Sequence, residues 1–366
     1  MLVRYSSNEN GKLVKKAIIY TKKEHSISNS LIDTNALKII SQLRAFGHDA
    51  YIVGGAVRDL LCNKIPKDFD IVTDATPSKI RKIFRNSRII GRRFRLVHIY
   101  FDDIIFEVST FRSTINGSIG NSFGSIEEDV KRRDFTLNAL YYDPLKKQII
   151  DYVGGMKDIK KNVIKPVIPL NQIFTEDPVR MLRAVKYAVS TGFKMPLALK
   201  RKIKKNAHLL SPISASRLTE EMLKILNSGY AYEITYRSLE TNLFMHLQPS
   251  ATTLIFDNKE FETNYLNRLK ELDALHFINP EARLGEKLFY IIYDFALNLT
   301  DWERELQAEK IDVTDLYKKT WKECRHFLLP MNPQRTELDY AVNLVLKKIG
   351  FPAFQKKKRK KTVNIK

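Results

Sequence analysis

The sequence predicts an α+β fold, with a small mixed sheet in its first half and an all-helical remainder. Three observations predict it. Between about residues 50 and 165, short apolar runs bounded by Gly, Pro and Asp alternate with amphipathic stretches, the pattern of strands and helices packed together. After about residue 166 the apolar spacing becomes three and four: TEDPVRMLRAVKYAVS sets Val179, Leu182, Val185 and Ala188 or Val189 on one stripe. The chain has 366 residues, 44% hydrophobic and 10% aromatic, enough for two or more domains with real cores.

Taken in order, residues 1–30 are polar and basic around KKAIIYTKKEH and read as an irregular extension that orders on a surface or on RNA. TNALKIISQLRAFG reads as a helix with Leu37, Ile40 and Leu43 on one stripe, capped by Thr34 and ended by Gly47. AYIV is a strand, GGAVRDLL turns into a helix, and DFDIVT is a strand. TPSKIRKIF is a helix with Thr76 at the cap and Pro77 in the first turn. RLVHIYF and IIFEVSTF are strands joined by a turn at Asp102 and Asp103. The loop 112–125 is rich in Gly, Ser and Asn. Helices are expected at 176–190, 198–210, 215–228 and 231–243, and residues 260–350 read as mostly helical. The expected organisation is a basic extension (1–30), a head (31–165), a helical neck (166–230), a helical body (231–350) and a basic tail (351–366). No repeat of fixed period is visible.

Charge narrows the class of partner. Lys and Arg total 62 against 41 acids, a net +21, more than solubility needs. Such a surplus suits a polyanion. Six consecutive basic residues at 356–361 carry no accompanying amphipathic helix, which favours nucleic acid over a membrane surface. Cys62 and Cys324 are the two cysteines; their separation excludes metal-type spacing and a disulfide framework and fits a reducing compartment. No run has the character of a secretory leader or a membrane span. The expectation is a soluble, cytoplasmic, monomeric chain.

Chemistry-bearing residues concentrate in IVGGAVRDLLCNKIPKDFDIVT. Strand alternation puts Asp68 and Asp70 on one face, with Phe69 and Ile71 toward the core. Two like charges there repel, and a hard divalent cation with substrate phosphates would relieve them; a strand edge entering a turn is the plainer reading. Gly54 and Gly55 let backbone approach a ligand, and Arg58 in the following helix offers a fork to phosphate, or simply pairs with Asp59. Glu107 on IIFEVSTF joins the metal cluster, holds Arg112, or is a half-exposed strand residue. In EEDVKRRDFTLNAL, Arg132, Arg133, Asp134 and Asn138 gather at the start of an apolar helix; Asp134 caps it, or Arg133 lies near a triphosphate with Asp134 and Asn138 near a ribose or metal. In TEDPVRMLRA, Asp177 and Arg180 are three apart on a helix face. They form an intrahelical pair, or offer acceptors and donors to a base edge, with Arg183 extending that face.

GGAVRDLL, DFDIVT, RRDFTLNAL, DYVGGMKDI and EDPVRMLRA occur here in the order found in the bacterial tRNA nucleotidyltransferase/poly(A) polymerase family, which the chain therefore resembles over about residues 50–190. GRRFRLVHIYF (91–101), FGSIEEDVKRRDF (123–135) and the basic tail are similar to the poly(A) polymerase branch, and residues 215–248 resemble its helical body more loosely. The resemblance implies a palm-like nucleotidyltransferase head, a neck that reads the base and a body that holds RNA. It implies that Asp68 and Asp70 are the metal pair, that Asp134 and Glu107 are further carboxylates, and that Gly54, Gly55 and Arg58 form the triphosphate loop. Asp177 and Arg180 match its base-selecting pair. The implied reaction adds AMP from ATP to RNA 3′ ends of mRNA and other transcripts with release of pyrophosphate, using Mg²⁺ or, alternatively, Mn²⁺. A CCA-adding tRNA nucleotidyltransferase shares the same head. A non-catalytic RNA-binding protein on a decayed scaffold is disfavoured, because every candidate carboxylate is present.

Overall fold

A nine-stranded mixed sheet dominates the first half of the molecule. The computed structural model describes residues 2–7, 12–91, 96–113, 122–307 and 312–352. The run Arg92–Arg95, the middle of the loop 112–125 and the basic block 356–361 lie outside the described residues. The strands are β1 (Leu2–Ser7), β2 (Leu13–Thr21), β3 (Ala50–Val53), β4 (Asp70–Thr73), β5 (Ser87–Ile90), β6 (Leu96–Phe101), β7 (Ile104–Thr110), β8 (Leu140–Asp143) and β9 (Gln148–Asp151). Their order is β1-β2-β9-β8-β3-β4-β7-β6-β5, and β4 with β7 is the one parallel pair among the described strands.

The α+β class matches the expectation, but the sheet is larger than expected. Residues 2–7 and 13–21, read as irregular chain, form a hairpin whose second strand pairs with β9. The segment after Arg133, read as an apolar helix, is a 3₁₀ turn (Thr136–Asn138) followed by β8. Aromatic side chains suit a buried pleat better than a helix face, and Tyr141 and Tyr142 are fully buried there. The hairpin at Asp102 and Asp103 forms as expected, with Asp102 at φ +48°. So does the helix Pro77–Ile83 behind its Thr76 cap. The helix Thr34–Ala45 is capped one residue earlier than expected, by Asp33, whose carboxylate accepts from Asn35 N at 2.7 Å.

Strand alternation sorts the sheet into two faces. Tyr51, Val53, Val72, Phe111, Tyr141 and Ile150 line one face together with Val130 of the helix Ile126–Arg132. Ile52 and Ile71 point to the other, where the helix Thr34–Ala45 packs on β3 and β4. Asp70 lies in register with Val53 on the first face, at the end of the ladder. This places the site at a strand end above a packed apolar layer.

The chain divides into two compact units, Met1–Arg180 with Thr191–Lys202, and Met181–Ser190 with Ile203–Lys366. The second unit is helical. Its core includes Leu218, Met222 and Ile225 of Ala215–Leu226, Tyr265, Leu269 and Leu272 of Lys259–Ile278, and Leu338, Val342 and Leu346 of Arg335–Ile349. Phe295 stacks on Phe327 with ring centres 4.1 Å apart. Cys62 and Cys324 are free thiols. Among the described residues, no helix is long and apolar enough to cross a membrane.

Candidate nucleotidyltransferase site

The turn between β3 and the helix Gly55–Leu61 organises the site. Gly54 adopts φ +70°, ψ −135°, a region closed to side-chain-bearing residues. A Cβ there would stand 3.5 Å from Asp70 Oδ2 and 4.0 Å from an Arg133 guanidinium nitrogen. Gly54, Asp70 and Arg133 therefore converge, although 16 and 79 residues separate Gly54 from the other two in the chain.

Asp70 opens β4 rather than sitting inside it. β3 ends at Val53, so Asp68 and Phe69 have no ladder partner there; Asp68 lies exposed before the strand and Phe69 is half-buried. Asp70 reaches solvent, yet the protein packed around it pushes its carboxyl up to about 6. Surrounding protein is the larger cause, the negative charges of Asp68 and Glu107 add to it, and Arg133 opposes them. Glu107 reaches this neighbourhood because β4 and β7 run in parallel with Ile71 opposite Val108. Its carboxylate also lies 3.4 Å from His98 on β6. No three Asp, Glu, His or Cys side chains gather closely enough to hold a metal among the described residues.

The cationic side is tied down more fully. Arg133 donates from Nε to Tyr141 Oη at 3.0 Å, from Nη2 to Asp129 Oδ2 at 3.0 Å, and from Nη1 to the Asn138 carbonyl at 3.4 Å. Its guanidinium lies over the Tyr141 ring, and Tyr141 in turn donates to Asp129 Oδ2 at 2.6 Å. Burial alone would lower the pKa of Arg133, but Tyr141 and Asp129 outweigh it and raise the value above the ordinary one. Arg58 donates to Asp59 Oδ1 at 2.8 Å and to Asn138 Oδ1 at 3.0 Å. Asn138 thus pins two guanidiniums, one by its backbone and one by its side chain. Its own amide reaches Asp134 Oδ1 at 3.4 Å, and Asp134 also accepts from Phe135 N at 2.7 Å. Asp134 is buried in this turn.

Sequence reasoning does not single out Asp129 or Tyr141 as members of the site. The spacing of four between Asp129 and Arg133 is a visible signal for one of them; Tyr141 arrives only through the sheet. DYVGGMKDI has a local reason: Asp151 accepts from Val153, Gly154, Gly155 and Met156 amides at 2.7–3.1 Å. Gly155 is required because a Cβ there would stand 2.3 Å from the Thr136 carbonyl.

The stretch expected as one helix over 176–190 is broken. One turn spans Ile173–Glu176 and the long helix runs Arg180–Thr191. Pro178 disfavours helical backbone in the residue before it, and Asp177 is extended at φ −148°, ψ 98°. Asp177 and Arg180 consequently do not occupy one helix face. Asp177 accepts from Val179 N at 3.2 Å. Arg180 is buried and reaches Glu176 at 3.4 Å and the Arg132 carbonyl at 2.7 Å, which ties it to the Arg132–Asp134 segment. Arg183 belongs to the second unit, where it lies 3.4 Å from the buried carboxylate of Glu221. Lys186 and Lys224 also pair with Glu221.

Residues 50–165 match the poly A polymerase head domain, and residues 192–255 match the probable RNA and SrmB-binding site of polymerase A. Poly(A) polymerase I of Escherichia coli O6:H1 is 45% identical over 257 residues, 66% of this chain and 55% of that one. The chain belongs to the tRNA nucleotidyltransferase/poly(A) polymerase family. A CCA-adding enzyme of Geobacillus kaustophilus is 37% identical over 250 residues, 66% of this chain and 61% of its own length. This family member thus spans little more than half the length of the curated relatives it matches. The Bacillus stearothermophilus CCA-adding enzyme, solved in complex with CTP, covers 86% of this chain and 82% of its own at TM-score 0.53 and 27% identity. The Thermotoga maritima CCA-adding enzyme complexed with tRNA shares the fold at TM-score 0.59 and 19% identity, covering 90% of this chain and 73% of its own.

Proposed function

We propose that the chain is a template-independent polynucleotide adenylyltransferase that adds AMP from ATP to RNA 3′ ends and releases pyrophosphate. The convergence of Gly54, Asp70 and Arg133 carries the nucleotidyl-transfer reading, because it sets the Asp70 carboxylate and the fixed Arg133 guanidinium around a turn with no side chain. The choice of adenylate rests on the 45% identity to Poly(A) polymerase I, against 37% for the Geobacillus kaustophilus CCA-adding enzyme.

In this reading Asp68 and Asp70 hold a hard divalent cation, Mg²⁺ with Mn²⁺ as the alternative. The residues fit one, since surplus negative charge from Asp68 and Glu107 helps push Asp70 up to about 6. When bound, such an ion neutralises phosphate charge and favours attack by a terminal 3′-hydroxyl. Gly54 and Gly55 leave the backbone open to a triphosphate. Arg58 and Arg133, both pinned by Asn138, meet its β and γ phosphates in fixed orientations with little reorganisation. Asp134 and Asn138 lie toward the ribose, Asp177 and Arg180 select the base, Arg183 is a further nucleotide-binding residue, and Glu107 tunes Asp70.

The organisation proposed is a head at 31–165, a neck at 166–230, a body at 231–350 and basic flanking segments at 1–30 and 351–366. The surplus of basic residues supports an RNA partner and steeply salt-dependent binding. Two free thiols fit a reducing, cytoplasmic setting, and a monomer is the working state.

CCA addition is the second reading, favoured by the CCA-adding enzymes among the structural relatives. Purified protein incubated with each labelled nucleotide and either oligo(A) or tRNA lacking its 3′ end separates the two. Long adenylate tails without CMP incorporation are expected. CMP incorporation that stops at a fixed length would overturn the adenylate reading.

A further inference from the structure

The helix Ala231–Glu240 has one side in the core and one in solvent. Ala231, Ile234, Thr235 and Ser238 are buried. A spacing of four puts Tyr232 and Tyr236 together on the outward side. Their rings stack with centres 6.3 Å apart and planes 30° apart. Lys270, from the helix Lys259–Ile278, places its ammonium 4.7 Å from the Tyr232 ring centre. Tyr236 is 44% exposed and Tyr230, just before the helix, 37%. The result is a short aromatic stack, braced by a cation at Tyr232 and ending in an exposed ring at Tyr236.

The surrounding polar groups indicate which part of a ligand would meet this surface. The amides that open the helix, Ala231 N and Tyr232 N, already donate to the Asp273 carboxylate at 2.6 and 3.0 Å. Arg237 is paired with Glu233 at 2.7 Å. Helix-start amides and the nearest guanidinium are therefore engaged, whereas the aromatic face is open. A flat π-face extends such a stack without needing any new polar partner, and every nucleobase supplies one. Tyr232 and Tyr236 fall within the 192–255 segment that matches a probable RNA and SrmB-binding site of polymerase A.

We propose that Tyr236, backed by Tyr232 and Lys270, is a stacking platform for bases of single-stranded RNA. The proposal rests on the RNA-substrate reading above. Because the contact is made to bases, it contributes affinity without counterion release, unlike the phosphate contacts of the basic surface.

The test uses the full chain and fluorescently labelled oligo(A), with affinity measured across a salt series. Tyr236→Ala should weaken binding roughly tenfold with the slope of affinity against salt unchanged. Tyr236→Phe should bind as the unmodified chain does, because the ring is kept. A 2-aminopurine placed in the oligonucleotide should be quenched by the unmodified chain and much less by Tyr236→Ala. Thermal melts matching those of the unmodified chain establish that the exposed substitutions leave the fold intact. Unchanged affinity in Tyr236→Ala overturns the platform and leaves a protein occupant as the better reading of this face. Equal loss in Tyr236→Phe, or a flatter salt slope in Tyr236→Ala, also overturns it, because the contact would then be polar. If the unmodified chain binds no oligo(A), the RNA reading itself fails, an outcome distinct from failure of the platform alone.

Discussion

On one side of Gly54, Asp70 bears the negative charges of Asp68 and Glu107, which Arg133 offsets only in part, and its carboxyl is pushed up to about 6. On the other side, Arg133 is held by Asp129, Tyr141 and the Asn138 carbonyl, with a ring beneath its guanidinium. The anionic side is frustrated and partly open to solvent; the cationic side is satisfied and locked. A cation built this way can meet a polyphosphate without reorganising. Carboxylates left in this state gain free energy only when positive charge arrives. The contrast also separates two kinds of mutational effect: removing charge from the frustrated side should harm chemistry and spare the fold, while removing it from the locked side should harm the fold first.

The largest expected effect tests the first half of that contrast. Asp70→Asn should lower AMP addition to an oligo(A) primer roughly a thousandfold, since a ligand to a phosphate-neutralising cation supplies several kcal/mol in the transition state. The melting temperature without divalent cations should not fall. Retention of full activity would remove Asp70 from the chemistry.

On the locked side, Asp129→Ala leaves Arg133 without its carboxylate and Tyr141 without its acceptor. The pair is mostly buried, with side-chain exposures of 20% and 11%, so breaking it should cost about 3 kcal/mol in urea unfolding. A change under about 1 kcal/mol would mean that Arg133 is not held as described. Tyr141→Phe is milder. It removes one acceptor for Arg133 and one donor to Asp129 while keeping the ring, and should cost about 1–2 kcal/mol by the same measurement. An equal loss in both variants would make the hydroxyl, rather than the charge pair, the anchor.

The same contrast explains what was legible in the sequence. GGAVRDLL and DFDIVT are local: glycines that turn the chain and acids at a strand end announce themselves by residue type. Thr76 and Pro77, and the turn at Asp102 and Asp103, are local too. The locked side depends on long-range pairing. Tyr141 reaches Arg133 only because the segment after it pairs with β3 and β9, and its aromatic residues read equally well as an apolar helix. The N-terminal hairpin is hidden because the apolar residues of β2 do not alternate with polar ones: Lys15 and Lys16 split them into two runs, and Ala17 alone among them is buried. Asp177 and Arg180 have helix spacing in the sequence, but Pro178 lies between them, and its effect on the preceding residue opens the helix. Glu107 is found by residue type, but its proximity to Asp70 follows from the parallel pairing of β4 and β7, which strand patterning does not reveal.

The smallest effect concerns pH. Asp70 is moved from 3.8 to about 6. A carboxyl raised on folding stabilises the native state fully below its unfolded value, and that contribution disappears as pH rises through the folded value. Stability from this group should therefore be present below about pH 4 and gone above about pH 7. In a fully enclosed group a rise of this size would correspond to about 3 kcal/mol, but Asp70 is exposed to solvent and screening reduces this to about 1 kcal/mol. Other groups titrate in the same window, so the informative quantity is a difference. In a chelating buffer, Asp70→Asn should gain about 1 kcal/mol relative to the unmodified chain between pH 4.5 and about 7.5, read from urea midpoints. Adding Mg²⁺ at the higher pH should shrink that difference, because the cation relieves the repulsion that the asparagine removes. A difference independent of both pH and Mg²⁺ would mean that Asp70 is not frustrated, and the two sides of the glycine turn would no longer differ in kind.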